Sequence, residues 1–108
     1  MGAYLYQVSY TPEAWAAQIK HPSDRLNDVI KPLIEKNGGK VVAAYYAFGD
    51  SDIVMIAEAP DAVSAAALAL AFNAGGAVSS LKTTVLMSIS DGVKAMKKAG
   101  DIGYKPPS

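Results

Sequence analysis

Cysteine is absent from the 108 residues, and disulfides, thiolate nucleophiles and cysteine-bound zinc are excluded with it. The lack of cysteine fits a reducing compartment. The first residues, MGAYLYQVSY, show no basic region followed by an apolar one, so the cytoplasm is expected rather than a secretory route. Net charge is also missing. Ten Lys and Arg balance ten Asp and Glu, which leaves no basic excess for a phosphate backbone and argues against nucleic acid. No long hydrophobic run exists. The longest, Ala65 to Phe72, is far below the ~20 residues of a membrane span, so no membrane partner is expected. Histidine occurs once, at His21. One histidine and no nucleophile elbow build no Ser-His-Asp triad. Asp50 and Asp52 stand close together without a second cluster of ligands, so neither a metal nor a cofactor is expected. The pairs Gly38-Gly39 and Gly75-Gly76 fall at helix ends with no following Lys-Ser/Thr, and are not phosphate loops.

What is present is apolar. Hydrophobic residues make up 51% and charged residues 19%, in a chain long enough for one domain and its own core. The organising stretch is Lys40 to Asp61. Two apolar runs, Val41–Phe48 and Ile53–Ala59, flank the turn cluster Gly49–Asp52, a β-hairpin pattern. Ahead of it, Ala3–Tyr10 alternates as a strand, with Tyr4, Tyr6, Val8 and Tyr10 on one face. Thr11-Pro12-Glu13 then opens a helix, with Thr11 as N-cap and Pro12 in its first turn. Trp15 and Ile19 share a face of it, and His21-Pro22 ends it. The helix restarts at Ser23 or Asp24. Leu26, Val29, Ile30 and Leu33 form a core-facing stripe, Pro32 predicts a kink, and Asn37-Gly38-Gly39 is the stop. After the hairpin, Asp61 caps an alanine-rich helix to Ala74. Ala77–Ser90 predicts a last strand, Ser90-Asp91 the cap of a short helix Gly92–Ala99, and residues 101–108 a loose tail.

The order β-α-β-β-α-β plus a C-terminal helix predicts an α+β, ferredoxin-like fold, with a four-stranded antiparallel sheet and both helices on one face, as a single domain over 1–108. The other face of such a sheet normally meets water. Here both alternating sets of each hairpin strand are apolar: Val41, Ala43, Tyr45, Ala47 and Val42, Ala44, Tyr46, Phe48 in the first, Ile53, Met55, Ala57 and Val54, Ile56, Glu58 in the second, with Glu58 the one charge. Both faces therefore need cover. Stacking two sheets in a homodimer, a dimeric α/β barrel, is the first solution, and roughly 800 Å² per subunit would make it an ordinary stable dimer. The second is the C-terminal helix and tail folding over that face within one chain.

These residues resemble the GYD-domain family of small bacterial proteins. The matching segments are Tyr10-Thr11, Pro22-x-x-Arg25, Gly38-Gly39-Lys40, Gly49-x-x-Asp52, Glu58-Ala59-Pro60-Asp61 and Thr83-Thr84, and together they cover Ala3 to Ser90. The chain departs from the pattern at Ser51, where the family's turn carries its name-giving tyrosine. The resemblance implies a dimeric α/β-barrel relative and carries no established activity.

Few residues offer chemistry. Histidine is the side-chain type suited to moving protons near neutral pH, and His21 reads as a general base or ligand contact, or as an exposed loop histidine. Arg25 could clamp a carboxylate in bidentate fashion, or hold Asp50 or Asp52 in an ion pair. Asp50 and Asp52 could hold a hard cation, or simply serve the turn. Tyr4, Tyr6, Tyr10, Tyr45, Tyr46, Phe48 and Trp15 could line a cavity for an aromatic ligand, or fill a dimer core. The expected ligand-contact set is Tyr6, His21, Arg25, Tyr46 and Asp52. Two functions compete. One is a homo-oligomeric domain, structural or binding a small apolar or aromatic ligand. The other is a cofactor-independent isomerase or monooxygenase of the dimeric-barrel type, acting on a small aromatic or lactone, with His21 or a tyrosine moving the proton and Arg25 orienting the substrate. A cleft holding His21 beside Arg25 would favour the second.

Overall fold

Strand β1 (Gly2–Tyr10) is paired on both sides, and the rest of the sheet is built outward from it. The computed structural model describes residues 1–107. After β1 come helix α1 (Pro12–Lys20), a π-helical turn (Leu26–Ile30) that runs into α2 (Lys31–Lys36), and strands β2 (Lys40–Tyr46) and β3 (Ile53–Ala59). Helix α3 (Ala62–Ala74), strand β4 (Val78–Leu86) and helix α4 (Ile89–Gly100) complete the chain. The sheet order is β2-β3-β1-β4 and every pair is antiparallel, the α+β ferredoxin-like arrangement.

Register sorts the side chains into rows. Towards the helices, one row is Val41, Ala57, Tyr4 and Val85, the next Ala44, Met55, Tyr6 and Thr83, and the third Tyr46, Ile53, Val8 and Leu81. The buried core is Tyr4, Tyr6, Val8, Met55, Ala57 and Ala59 from the sheet with Ile34, Ala65 and Leu68 from the helices. The open face carries Ala43, Ile56, Leu5 and Thr84 in one row and Tyr45, Val54, Gln7 and Lys82 in the next. The apolar content of that face therefore lies on β2, β3, Leu5 and, beside Ala3, Leu86, while the rest of β4 contributes Thr84, Lys82 and Ser80.

Local chemistry explains the boundaries. The Thr11 hydroxyl accepts from the Ala14 N–H (3.1 Å) and the Asp61 carboxylate from the Ser64 N–H (2.7 Å), each capping its helix as expected. Helix α2 ends where Gly38 takes φ +85° and the Gly39 N–H returns to the Ile34 carbonyl (2.9 Å). A β-carbon on Gly39 would sit 2.5 Å from the Glu58 carbonyl oxygen and 2.9 Å from Ile34, so only glycine lets this turn lie against β3. Pro32 falls in the first turn of α2 and donates no N–H back into the π turn that precedes it. The preceding residues absorb the mismatch as a π turn, the Lys31 N–H reaching back to the Leu26 carbonyl.

Five expectations are revised. The alternation assumed across Val41–Phe48 is broken by a bulge at Val42: Val41 pairs with Ala57 but Ala43 with Ile56, so Ala44 and Tyr46 join Val41 on the helix side. Strand β2 stops at Tyr46, and Phe48 leaves it with φ +52°. Strand β4 stops at Leu86 rather than Ser90. The cap of the last helix is Ser88, not Ser90, because the Ser88 hydroxyl takes the Asp91 N–H at 3.1 Å. Helix α4 does not fold over the open sheet face of its own chain. None of its residues is buried. Asp101 to Pro107 are exposed and carry neither helix nor strand, and Ser108 lies outside the described residues. Among the described residues no helix is long and apolar enough to cross a membrane.

Candidate functional site

The two layers meet tightly at one end of the sheet and part at the other. At the closed end Ile34 of α2 and Ala65 and Leu68 of α3 press on Tyr4, Tyr6 and Ala57. At the other end the π turn and the last turns of α3 stand away from the sheet, where Ala44, Ala71, Gly75 and Ala77 are too short to fill the gap. A cavity of about 810 Å³ results. Its floor is Val8, Ile53, Met55, Tyr46 and Val78, its helical walls are Leu26, Val29, Ile30, Leu33 and Phe72, and its rim holds Tyr10 and the segment Pro22–Arg25. That size, with apolar walls and few polar groups, is that of a small-molecule site.

The polar groups at the rim differ in how far they are already satisfied. Asp24 accepts the Asn27 backbone N–H (3.0 Å) and the Asn27 side-chain amide (2.7 Å), and these bonds hold its carboxyl below the usual range. It is a helix cap. Arg25 is exposed, and among the described residues the only ion pair is Lys94 with Asp91. The structure thus forms neither the Arg25–Asp50 nor the Arg25–Asp52 pair. Burial pushes the Tyr10 hydroxyl up, and Tyr46 adds to the rise; the nearby Arg25 charge opposes it and Asp52 reinforces it.

Asp52 has a different task. Its Oδ2 accepts both the Tyr10 backbone N–H (2.8 Å) and the Trp15 indole N–H (3.0 Å), while its own N–H donates to the Val8 carbonyl (2.8 Å). One carboxylate therefore joins the hairpin loop, the end of β1 and helix α1. This matters for α1, which buries none of its residues. Trp15 rests edge-on against Tyr10 at 5.3 Å between centroids, and near Tyr46 (6.3 Å) and Phe48 (5.9 Å). Tyr46 and Phe48 stack at 5.4 Å with 3° between planes, a contact that offsets the left-handed backbone at Phe48. Trp15, Tyr46 and Phe48 with Gln18, Ile19, Pro22 and Ser23 line a second, shallower cavity of about 400 Å³.

Of the residues singled out from sequence, Tyr45 and Tyr46 line the main cavity and Tyr10 and Arg25 stand at its rim. Tyr6 does not line it. Its ring is in the closed core, its hydroxyl donates to the Ala65 carbonyl (3.1 Å), and burial, then Tyr4, push its pKa up. His21 is the C-cap of α1, exposed and outside the lining of both cavities, so it does not stand with Arg25 in one cleft. Asp50 offers its backbone carbonyl to the Ser9 hydroxyl (3.4 Å). No group of three or more His, Asp or Glu that could hold a metal occurs among the described residues. Sequence reasoning missed Phe72 and Met55 as walls. The helical stripe Leu26, Val29, Ile30 and Leu33 was visible, but as core rather than as one side of a cavity.

No curated protein and no solved structure matches the chain. The model of the GYD domain matches residues 4–98 of the 108. That span holds the whole sheet but for its first two residues, both walls of the cavity and all of α4 but its last two residues, and the chain belongs to the GYD-domain family.

Proposed function

We propose that the protein is a homodimeric small-ligand-binding domain, and that its ligand has an apolar or aromatic body and one anionic group. The observation that carries this reading is the cavity of about 810 Å³, apolar on its walls, with a guanidinium at its rim that no carboxylate among the described residues neutralises. Arg25 offers a planar fork of donors suited to a carboxylate. The Tyr10 and Tyr46 rings supply flat apolar surface next to it. Dimerisation rests on the open sheet face, where Ala43, Ile56, Leu5, Val54 and Tyr45 form an apolar patch and Tyr45 is 70% exposed. The isomerase or monooxygenase alternative has no histidine in the cavity to move a proton, and a tyrosine would have to do so.

Native mass spectrometry with a panel of aromatic and medium-chain carboxylates tests both parts. The expected species is twice the 11.3 kDa chain, carrying carboxylates in preference to their neutral amides. Replacing Arg25→Gln should weaken carboxylate binding about tenfold, the ~1.4 kcal/mol of one charge-assisted contact at an exposed rim, and leave the amides unchanged. A single-chain species at micromolar concentration removes the dimer. Equal carboxylate binding by the Arg25→Gln variant removes the ligand assignment.

A further inference from the structure

Helix α4 has nothing to lie on. Its 12 residues are at the lower limit of what stays helical in water unaided, and none is buried. Ile89, Val93 and Met96 follow the i, i+4, i+7 spacing and form one apolar stripe, exposed by 86%, 43% and 73%. The radius of gyration is 17.3 Å and the long axis 58 Å, where a compact chain of this length would have a radius of about 13 Å. Helix α4 and the segment after it therefore project as an arm. The arm is also charged differently from the body. Residues 89–108 carry Lys94, Lys97, Lys98 and Lys105 against Asp91 and Asp101, a net +2, so the remainder of the neutral chain is −2.

The body has one helix surface that fits this arm. No charged residue occurs in α3, from Ala62 to Ala74, yet its outer side meets solvent: Val63 is 79% and Leu70 70% exposed, with Ala66 and Ala67 exposed between them. At ~1.5 Å per residue, α3 and α4 are both roughly 18–20 Å long. A ridge of Ile89, Val93 and Met96 can seat between Val63 and Leu70, as ridges seat in grooves on packed helices. Within one chain α4 does not reach α3; it stands clear of the body. The opposite net charges of arm and body favour a body belonging to another molecule over an uncharged partner.

We propose that α4 of one copy packs along the outer face of α3 of a second copy, an exchange of arms. The contact is separate from the open sheet face and from the ligand cavity, so it stands or falls apart from both. If the exchange is mutual, the contact closes on itself with two-fold symmetry; if it is not, copies add head to tail.

The test uses the full chain, whose lack of cysteine makes every introduced thiol unique. Leu70→Cys and Val93→Cys are made singly, mixed in equal amounts at micromolar concentration and oxidised. The expected product is a mixed disulfide of two chains, at least fivefold more abundant than when Val93→Cys is mixed with Tyr45→Cys on the open sheet face. The double variant Leu70→Cys/Val93→Cys should join different chains. A disulfide within one chain would place α4 on its own α3 and overturn the exchange. Equal yields with Tyr45→Cys would overturn it as well. Should no disulfide form while the unaltered protein co-sediments with vesicles containing anionic lipid, the arm serves a membrane surface and the proposal fails. Val93→Asp provides a readout without thiols: the circular dichroism of the sheet should be retained, and the mass in sedimentation or the helical signal of the arm should fall. No change in either would overturn the packing.

Discussion

Removing the Asp52 carboxylate should release helix α1 from the sheet, and the size of the effect follows from its contacts. One oxygen takes two N–H donors, from Tyr10 (2.8 Å) and from the Trp15 indole (3.0 Å). A hydrogen bond to a charged group is worth about 1.5–3 kcal/mol, and one partner lost from a buried site leaves the other unsatisfied. Both bonds here are only partly buried, so water recovers some of that loss, and Asp52→Ala should cost about 2–3 kcal/mol in all. At this chain length that is a fall in Tm of roughly 10 °C. Asp52→Asn keeps an acceptor oxygen and loses only the charge, so about 1 kcal/mol is expected. Trp15 is the only tryptophan, which makes its fluorescence a direct report on α1. In Asp52→Ala its emission should shift to the red before any unfolding, because the indole loses its partner and its place against Tyr10. The comparison is Asp50→Ala, whose side chain makes no hydrogen bond to the described residues and which should stay within about 0.5 kcal/mol of the unaltered protein. Urea unfolding followed by fluorescence and by circular dichroism measures all three. If Asp52→Ala and Asp50→Ala share one midpoint and one emission maximum, the tether does not exist.

Two further outcomes concern the closed end. Ile34 has no exposed surface, so Ile34→Ala should cost about 3 kcal/mol through lost burial and the void it leaves, read from the urea midpoint at unchanged m-value. A loss under 1 kcal/mol would mean that the layers collapse to fill the space. Tyr6 is 1% exposed, and burial raises its pKa above that of an unfolded tyrosine. Above about pH 10 the unfolded chain releases the Tyr6 proton first, so this stabilisation is complete below that pH and is lost as pH rises through the folded value. Tyr6→Phe should cost about 1 kcal/mol at pH 7, since the Ala65 carbonyl keeps its bond within α3, and should flatten the decline of Tm above pH 10. An unchanged alkaline decline in this variant would assign the effect to other groups.

The fold was legible where each position had a contrast to read. In β1, large apolar residues alternate with Gln7 and Ser9, and the alternation names the buried face. Thr11 and Asp61 each sit before a helix with nothing competing for the cap, and the Gly38-Gly39 stop is sterically required. Legibility failed where contrast vanished. Val41 to Tyr46 is apolar at every position, so no pattern distinguishes a regular strand from one with a bulge at Val42. Ser88 and Ser90 are chemically equal caps, and the choice fell to where β4 runs out of partners. The site was half legible for the same reason. Arg25 and Tyr46 could be named because their side chains have few other uses beside a core. Leu26, Val29, Ile30 and Leu33 could be assigned to the inward side of a helix, but periodicity says which way a side chain faces and not whether anything meets it.

What meets those side chains is decided by residue size on the facing elements, and this divides the labour along the strands. At the Tyr4–Tyr6 end large rings from β1 reach Ile34, Ala65 and Leu68, and contact is complete. From the Ala44–Met55 pair outward, the facing positions are Ala44, Ala71, Gly75 and Ala77, and the same helices cannot close on the sheet. The π turn before Pro32 holds the first wall at the pitch the proline requires, and Asp52 with Trp15 holds α1 beside the second cavity. Stability is therefore concentrated in the closed half and ligand capacity in the open half, with Val8 and Met55 belonging to both. It follows that Ile34→Ala should leave ligand affinity intact in the molecules that remain folded. A larger side chain at Ala44 or Ala71 should do the reverse, filling the cavity and removing binding while leaving the fold no less stable.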